Sequence, residues 1–408
     1  MENFNELRRL CKESSALSGK VVDRFLLYYS AQREGLNKEM DQRLLRFRLV
    51  TKEFEKSWIN IFKAQYIGHR IFKENGFIKR YLQHTAIKEL PTDQRNFLEQ
   101  QSVIPWKYSF STIIGKPESD FYEMEDAFTG ETYLIYSPSV SQILSKGPVS
   151  LWFNLIGFNG SCWQSYGPVT SFSSFGPDDI FFFATELNPA IETEEALMAD
   201  VENNPIPYLM LISGSTYPLI INGKDEILQV FAEHYLESFD STGLEKDFKI
   251  EYARGIYRLS LGAWGGPPHF AQAYYVEERE LLLVNSLTER GFQNLVKKLN
   301  QHGFGLPTEP DIRVHLSMLV SIKHVLGKDI RLNPYEEVFK IETTPEGQVE
   351  TDKLNRLLAL ALSVINAGRK PDFRALSKEV GVDEETAREI VNNTINRINK
   401  LNRKIKNS

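Results

Sequence analysis

The sequence predicts an α+β chain of several domains: a helical N-terminal region, an antiparallel β-rich middle and a small helical C-terminal domain. Three observations lead there. The apolar period changes from helical to strand-like at Pro105. Strand and helix patterns interleave from about residue 208 to 326, which marks the class as α+β. Gly147–Gly223, 77 residues with twelve aromatics and eight acidic side chains, contain no Lys, Arg or His. Such a stretch is expected where strands are buried, because Lys and Arg rarely are. With 408 residues, two or three domains are expected, and we read them as 1–104, 105–343 and 344–408.

In the first region, Val21, Val22, Phe25, Leu26 and Tyr29 form an apolar stripe at helical spacing. Asn37 is expected to cap the next helix, whose residues Met40, Leu44, Phe47, Thr51, Phe54, Trp58, Ile61 and Gln65 repeat at heptad spacing with two polar interruptions. That seam fits either an intermolecular coiled coil or a hairpin within one chain. Asn75-Gly76 stops it, and a shorter helix is expected over Phe77–Lys88.

In the middle, Trp106–Ile114 is β-prone, and Phe121–Tyr136 has hairpin patterning around Thr129-Gly130-Glu131. Ser150–Ile156 and the strand opening at Cys162 flank the Asn159-Gly160 turn, suggesting a small sheet or barrel. Asp179–Thr185 and Tyr208–Ile212 read as buried strands, the second pairing with Tyr217–Asn222. Between them Asn188–Pro207 is an acidic flap. Lys224–Phe239 reads as an amphipathic helix and Ile250–Leu261 as a strand. Ala273–Val276 and Leu281–Asn285 make a hairpin, and Ser286 with Glu289 makes a capping box for a helix ending at Gly303. Leu316–Leu326 is a second apolar helix. Thr344–Gly347 is the expected linker, and Thr351 the expected cap of an apolar helix over Leu354–Ile365.

Charge is unevenly divided. Residues 1–105 carry a net +6, 106–368 a net −16 and 369–408 a net +4. Such asymmetry fits solvated helical ends, different partners, or ends that dock on the middle. The two cysteines, Cys11 and Cys162, fall in different regions without CxxC spacing, so neither a disulfide framework nor a zinc site is expected. No secretory signal and no membrane-length apolar run is visible, which gives a cytoplasmic expectation without membrane partners.

Asp372–Val391, DFRALSKEVGVDEETAREIV, resembles helix-turn-helix DNA-binding domains. Leu376, Val380, Val382, Ala387 and Ile390 stand at the apolar positions and Gly381 at the turn. The resemblance covers residues 372–400 and implies a nucleic-acid partner. It departs from the pattern at Ser377, and at Asp383, Glu384 and Glu385, which open the would-be recognition helix. Arg397, Lys400, Arg403, Lys404 and Lys406 follow without an acidic residue and suit nucleic acid or an acidic partner.

Trp264 and His269, in the Gly/Pro-rich loop 262–270, could stack on and bond a ligand, or the loop could simply be a sharp turn. Glu192, Glu194 and Glu195 in the acidic flap suit a basic partner, the chain's own tail included. Asp178-Asp179 could offer oxygens to a cation but suits a turn or cap equally. There is no HExxH, GxSxG, Walker loop or GxGxxG, so no cofactor or metal site is expected. The resulting expectation is a non-enzymatic binding or regulatory protein, with protein partners or self-association through the heptad-patterned helices. The alternatives are a nucleic-acid-binding regulator and an enzyme sited near residues 262–270.

Overall fold

A computed structural model describes residues 3–339, 353, 356–358, 360, 361, 364 and 370–392. The chain divides into two compact units, Met1–Pro334 and Tyr335–Ser408. The layout is α+β, as the sequence predicts.

The first unit opens with helices. Helix α1 spans Phe4–Leu17 and continues through a π-helical segment, Ser18–Leu26, into α2, Leu27–Arg33. Then follow α3 (Leu36–Leu44), α4 (Arg48–Thr51), α5 (Lys56–Phe72), the single turns α6 (Ile78–Tyr81) and α7 (Thr85–Lys88), and α8 (Thr92–Gln101). The cap before α3 is Gly35 in a left-handed conformation rather than Asn37, because a positive φ of 68° suits glycine. The heptad seam is not one helix. The chain bends between Thr51 and Lys56, and Met40, Leu44, Phe47, Phe54 and Trp58 pack into the unit's own core. The expected helix 77–88 is only α6 and α7.

Five strands follow: β1 (Lys107–Glu118), β2 (Phe121–Asp126), β3 (Thr132–Tyr136), β4 (Leu151–Phe158) and β5 (Trp163–Phe172). They close a barrel in the order β1-β2-β3-β5-β4, antiparallel except for β3 beside β5. Helix α9, Pro138–Leu144, makes the crossover between β3 and β4. Strand β1 pairs with β4 through Lys107–Ser111 and with β2 from Ser111 onward, its register shifting around Gly115 as it bends between them. This is a closed five-stranded barrel of Greek-key topology. Tyr122, Met124, Tyr133, Ile135, Trp152 and Ile156 fill its interior. Tyr108, Phe110, Leu151, Phe153 and Leu155 point outward into the core shared with the helices. Strand β4 is therefore buried on both faces, which explains the absence of Lys and Arg there.

The two runs read as buried strands in the second half of the base-free stretch are helical, not β. Asp179–Thr185 lies in α10, Pro177–Leu187. Tyr208–Ile212 lies in α12, Ile206–Met210, and the 3-10 turn Leu211–Gly214. A short continuous apolar run reads alike for a buried strand and a buried helix. The start signals decide here: Pro177 stands in the first turn of α10 and Pro207 in that of α12, while Asp179 accepts the Gly176 N–H. The acidic flap contains α11, Glu194–Asn203, capped by Thr193 and anchored by Leu197 and Val201.

A six-stranded antiparallel sheet completes the unit, in the order β13-β8-β12-β11-β10-β9. Its strands are β8 (Leu228–Tyr235), β9 (Phe248–Ala253), β10 (Ile256–Leu261), β11 (Gln272–Val276), β12 (Leu281–Ser286) and β13 (Ile312–His315). A short ribbon, β6 (Ile221–Asn222) with β7 (Asp225–Glu226), precedes it, so 217–222 does not pair with 208–212. The helix expected over 224–239 is β8. Leu228, Phe231 and Tyr235 mimic a helical stripe, but Leu228, Val230 and Ala232 share one face of the strand and pack in the core of the sheet, with Gln229, Phe231 and Glu233 on the other. Residues 250–261 are two strands, β9 and β10, joined at Arg254-Gly255. Helix α13, Glu289–Gln301, packs Phe292, Leu295, Val296 and Leu299 on the sheet. Its cap is Thr288, not Ser286, which ends β12. Helix α14, Leu316–Leu326, returns to the first core.

In the second unit, Phe373–Val380 is a helix capped by Asp372, Gly381 turns with φ 74°, and residues 384–392 are helical. Leu357, Ala361, Leu376, Val380, Ala387 and Val391 form its core. The expected linker 344–347, the cap Thr351 and Arg397, Lys400, Arg403, Lys404 and Lys406 lie outside the described residues.

Gly214 tests the packing of the corrected segment. A Cβ there would sit 2.9 Å from a Phe175 ring carbon and against the Ser321 hydroxyl. Gly214→Ala should cost about 1–3 kcal/mol in urea unfolding. Gly147→Ala, which meets nothing within 4 Å, should stay within about 0.5 kcal/mol.

Candidate functional site

The strongest candidate is a cleft of about 470 Å³ between the helical layer and the barrel. Helix α1 contributes Ser14 and Ser15, and the π-helical segment contributes Ser18 and Asp23. Helix α5 contributes Ile61, Ala64 and Gln65, and α8 contributes Phe97 and Gln101. The barrel adds Trp106, Gly157, Asn159 and Gln164–Pro168. Glycine is required at two places around it. A Cβ on Gly157 would lie 2.5 Å from the Trp106 indole nitrogen, and one on Gly68 would lie 2.8 Å from the Tyr166 ring. The two rings pack together with centroids 4.6 Å apart.

The accessible lining is mostly apolar, and the polar groups set into it are almost uncharged. Trp106 Nε1 donates to Gln101 Oε1 at 2.7 Å, and Gln101 Nε2 donates to the Phe158 carbonyl at 3.0 Å. Gln164 Nε2 donates to the Cys11 carbonyl and to Ser15 Oγ, both at 3.0 Å, while its Oε1 accepts from Asn159 Nδ2 at 2.7 Å. Tyr166 donates its hydroxyl to Asp23 Oδ1 at 2.7 Å, and burial followed by the Asp23 charge raises the phenol pKa. Gln65 is 2% exposed. Its Nε2 donates to the Tyr166 carbonyl at 3.4 Å, but its Oε1 has no partner. The polar interruption of the heptad seam at Gln65 is the sequence signal that marked this position. The cleft itself joins residues more than 100 apart and was not legible.

Helix α1 reaches this cleft by crossing the outer face of the barrel. Phe4 packs on Phe121 with centroids 5.1 Å apart, and Arg8 donates to the Ser119 carbonyl between β1 and β2. Leu7 and Cys11 join Phe121, Leu134, Tyr136 and Cys162 in one buried cluster. The two cysteines, far apart in sequence, are neighbours.

The residues singled out from sequence lie elsewhere. Trp264 and His269 pack at a tilt, centroids 4.5 Å apart, in the loop between β10 and β11. His269 Nδ1 is 2.7 Å from Thr288 Oγ1, and its carbonyl accepts from Ser286 Oγ, so the loop is tied to the start of α13. Arg290 lies over the Trp264 ring. Glu194 and Glu195 stand in the first turn of α11, where the helix dipole favours negative charge. Glu192 and Glu194 also line a hollow of about 650 Å³ with Arg313. Asp178-Asp179 opens α10, and Asp179 serves as a cap.

Two polar pairs, each with one buried member, brace the unit. His69 Nε2 lies 2.6 Å from Glu202 Oε2, while Glu202 Oε1 accepts the Tyr108 N–H at 2.7 Å. Burial holds the His69 pKa below its ordinary value. Asp179 accepts from His315 twice, from the backbone N–H at 2.7 Å and from Nδ1 at 2.8 Å. Among the described residues no group of three or more His, Cys, Asp or Glu could hold a metal ion, and no helix is long and apolar enough to cross a membrane. No family model, curated protein or solved structure matches the chain.

Burial alone would lower the His315 pKa, but its bond and charge pairing with Asp179, and then Glu226, outweigh burial and raise it. A raised folded pKa stabilises fully below the unfolded value of about 6.5 and is lost as pH climbs through the folded value. The melting-temperature gap between the native chain and His315→Gln should therefore be widest near about pH 5.5 and narrow above neutrality. A gap constant with pH would mean that the pair acts only as an uncharged hydrogen bond.

Proposed function

We propose that the chain is a non-enzymatic binding protein that holds a small uncharged ligand, about the size of a nucleoside or hexose, in the cleft beside the barrel. The observation that carries this reading is Gln65 Oε1, a buried acceptor without a partner on the cleft wall. Leaving such a group unsatisfied costs about 1–3 kcal/mol, and a turn of the Gln65 amide toward a ligand N–H or O–H in the cleft would recover it. The volume of about 470 Å³ falls in the range of small-molecule sites. Serine hydroxyls and Gln and Asn amides offer hydrogen bonds without net charge, and Asp23, the one carboxylate in the lining, is engaged by Tyr166. Barrels of this topology bind oligonucleotides and oligosaccharides, which supports the reading by analogy of fold only.

A second reading concerns the C-terminal unit. The helices over Phe373–Val380 and 384–392 and the Gly381 turn between them suit nucleic-acid binding. Asp383, however, accepts the Thr386 N–H as a helix cap, which accounts for one of its carboxylates without a nucleic acid. Salt-dependent retention on duplex DNA, lost on truncation after Pro371, would support it; no retention at low salt would refute it.

The cleft is tested by thermal shift and calorimetry with adenosine, guanosine, cytidine, uridine and glucose, on the native chain and on Gln65→Leu. The variant should keep or gain up to about 1 kcal/mol of stability without ligand, because an unsatisfied acceptor is removed. At least one probe should raise the melting temperature of the native chain and not of the variant. A loss of about 2 kcal/mol in the variant, with no probe shifting the native chain, would sink the reading.

A further inference from the structure

Cys11 and Cys162 are 151 positions apart in sequence, yet their Sγ atoms lie 3.2 Å apart as free thiols. Both are buried, at 0% and 1% exposure. Cys11 belongs to α1 and Cys162 opens the return of the chain into β5. Asn159 lies against both sulfurs, with Nδ2 3.3 Å from Cys11 Sγ and 3.9 Å from Cys162 Sγ. The same asparagine lines the cleft, so one residue of the cleft wall also touches both sulfurs. Cys11, Asn159, Gln164 and Ser15 form one hydrogen-bonded chain, so whatever fixes Cys11 also fixes the cleft wall.

We propose that Cys11 and Cys162 form a reversible disulfide, with a hydroperoxide as oxidant, that fastens α1 across the barrel face. The chemistry balances in two steps. The Cys11 thiolate attacks one peroxide oxygen, the O–O bond breaks, and Cys11 becomes a sulfenic acid as hydroxide leaves and takes up a proton. The Cys162 sulfur then attacks the Cys11 sulfur, forming the S–S bond and expelling water with the Cys162 proton. In sum, two thiols and one hydrogen peroxide give one disulfide and two waters, and the two electrons pass to the peroxide. Cys11 suits the first role. The Cys162 S–H outweighs burial, and together with the Asn159 amide lowers the Cys11 pKa, while that of Cys162 is raised by the same contact and by burial. Cys162 then suits the resolving role, because it already touches the sulfur it must attack. The pair does not depend on any occupant of the cleft, so this proposal stands or falls separately from the ligand reading.

The full chain is treated with hydrogen peroxide, denatured, alkylated with N-ethylmaleimide and weighed. The expected product is a monomer 2 Da lighter than the reduced chain, carrying no alkyl group. Its digest contains a Cys11–Cys162 cross-linked peptide, and dithiothreitol restores two alkylatable thiols. The oxidised chain should melt about 5 °C higher, with amide exchange in α1 slowed at least about tenfold. In Cys162→Ser, or Cys162→Ala if the serine variant fails to fold, Cys11 should be trapped by dimedone as the sulfenic acid. Cys11→Ser should give no dimedone adduct. Two intact thiols after excess peroxide, cross-links only between chains, or oxidation of Cys11 to the sulfinic acid with no 2 Da loss would each overturn the proposal.

Discussion

The first unit depends on a column of aromatic rings that joins the barrel to the helices. Tyr108 stacks on Phe153 at 5.2 Å, and Phe153 on Phe110 at 4.2 Å. Phe110 then meets Tyr208, which meets Phe183 of α10. Tyr108 and Phe110 come from one face of β1, Phe153 from β4, Tyr208 from α12 and Phe183 from α10, so the barrel, α10 and α12 share one packed core. Aromatic pairs in such geometry contribute about 0.5–1.5 kcal/mol each beyond burial. The change of pattern at Pro105 is therefore a switch of secondary structure within one compact unit, and β4 loses solvent on both of its faces.

At the edge of that shared core two carboxylates each tie several elements together. Glu202 accepts from the His69 ring and from the β1 backbone at once, and so ties α5, α11 and the barrel at one point. Asp179 does the same for α10, β13 and the start of α14. Polar atoms buried without a partner are expensive, so their few occurrences are informative. On the cleft wall the unpartnered group is Gln65 Oε1; elsewhere, at Tyr108 and His69, such atoms lie inside the packed interior.

Much of the fold was legible from local pattern. The hairpins around Gly130 and Asn159-Gly160, the pair β11–β12 and helices α13 and α14 all follow from turn chemistry and apolar period. The failures share a cause. Asp179–Thr185 and Tyr208–Ile212 are apolar on every side, and a run buried all round carries no period to distinguish helix from strand. Over Leu228–Tyr235 the large residues fell by chance at helical spacing, while Val230 and Ala232 carried the true alternation. The candidate site was barely legible. Gln65 broke an apolar seam and so drew notice, but its neighbours Asn159, Gln164 and Tyr166 are brought to it only by closure of the barrel. The proximity of Cys11 and Cys162 is likewise a property of the barrel and α1 together, which no spacing rule contains.

The π-helical segment Ser18–Leu26 sets the angular phase between α1 and α2. One residue added to or removed from a helix turns everything beyond it by about 100°, and a π turn accommodates more residues than an α turn over a similar path. Val21, Val22 and Leu26 must face the helical core, while Phe4, Leu7 and Cys11 must face the barrel. The wider turns reconcile these two directions within one unbroken rod, acting as a gear that matches two surfaces out of step. A loop would meet the same geometric demand, but it would leave α1 free to swing. The rod holds α1 at a fixed angle on the barrel, and Ser14, Ser15 and Ser18 reach the cleft as part of that same rigid body.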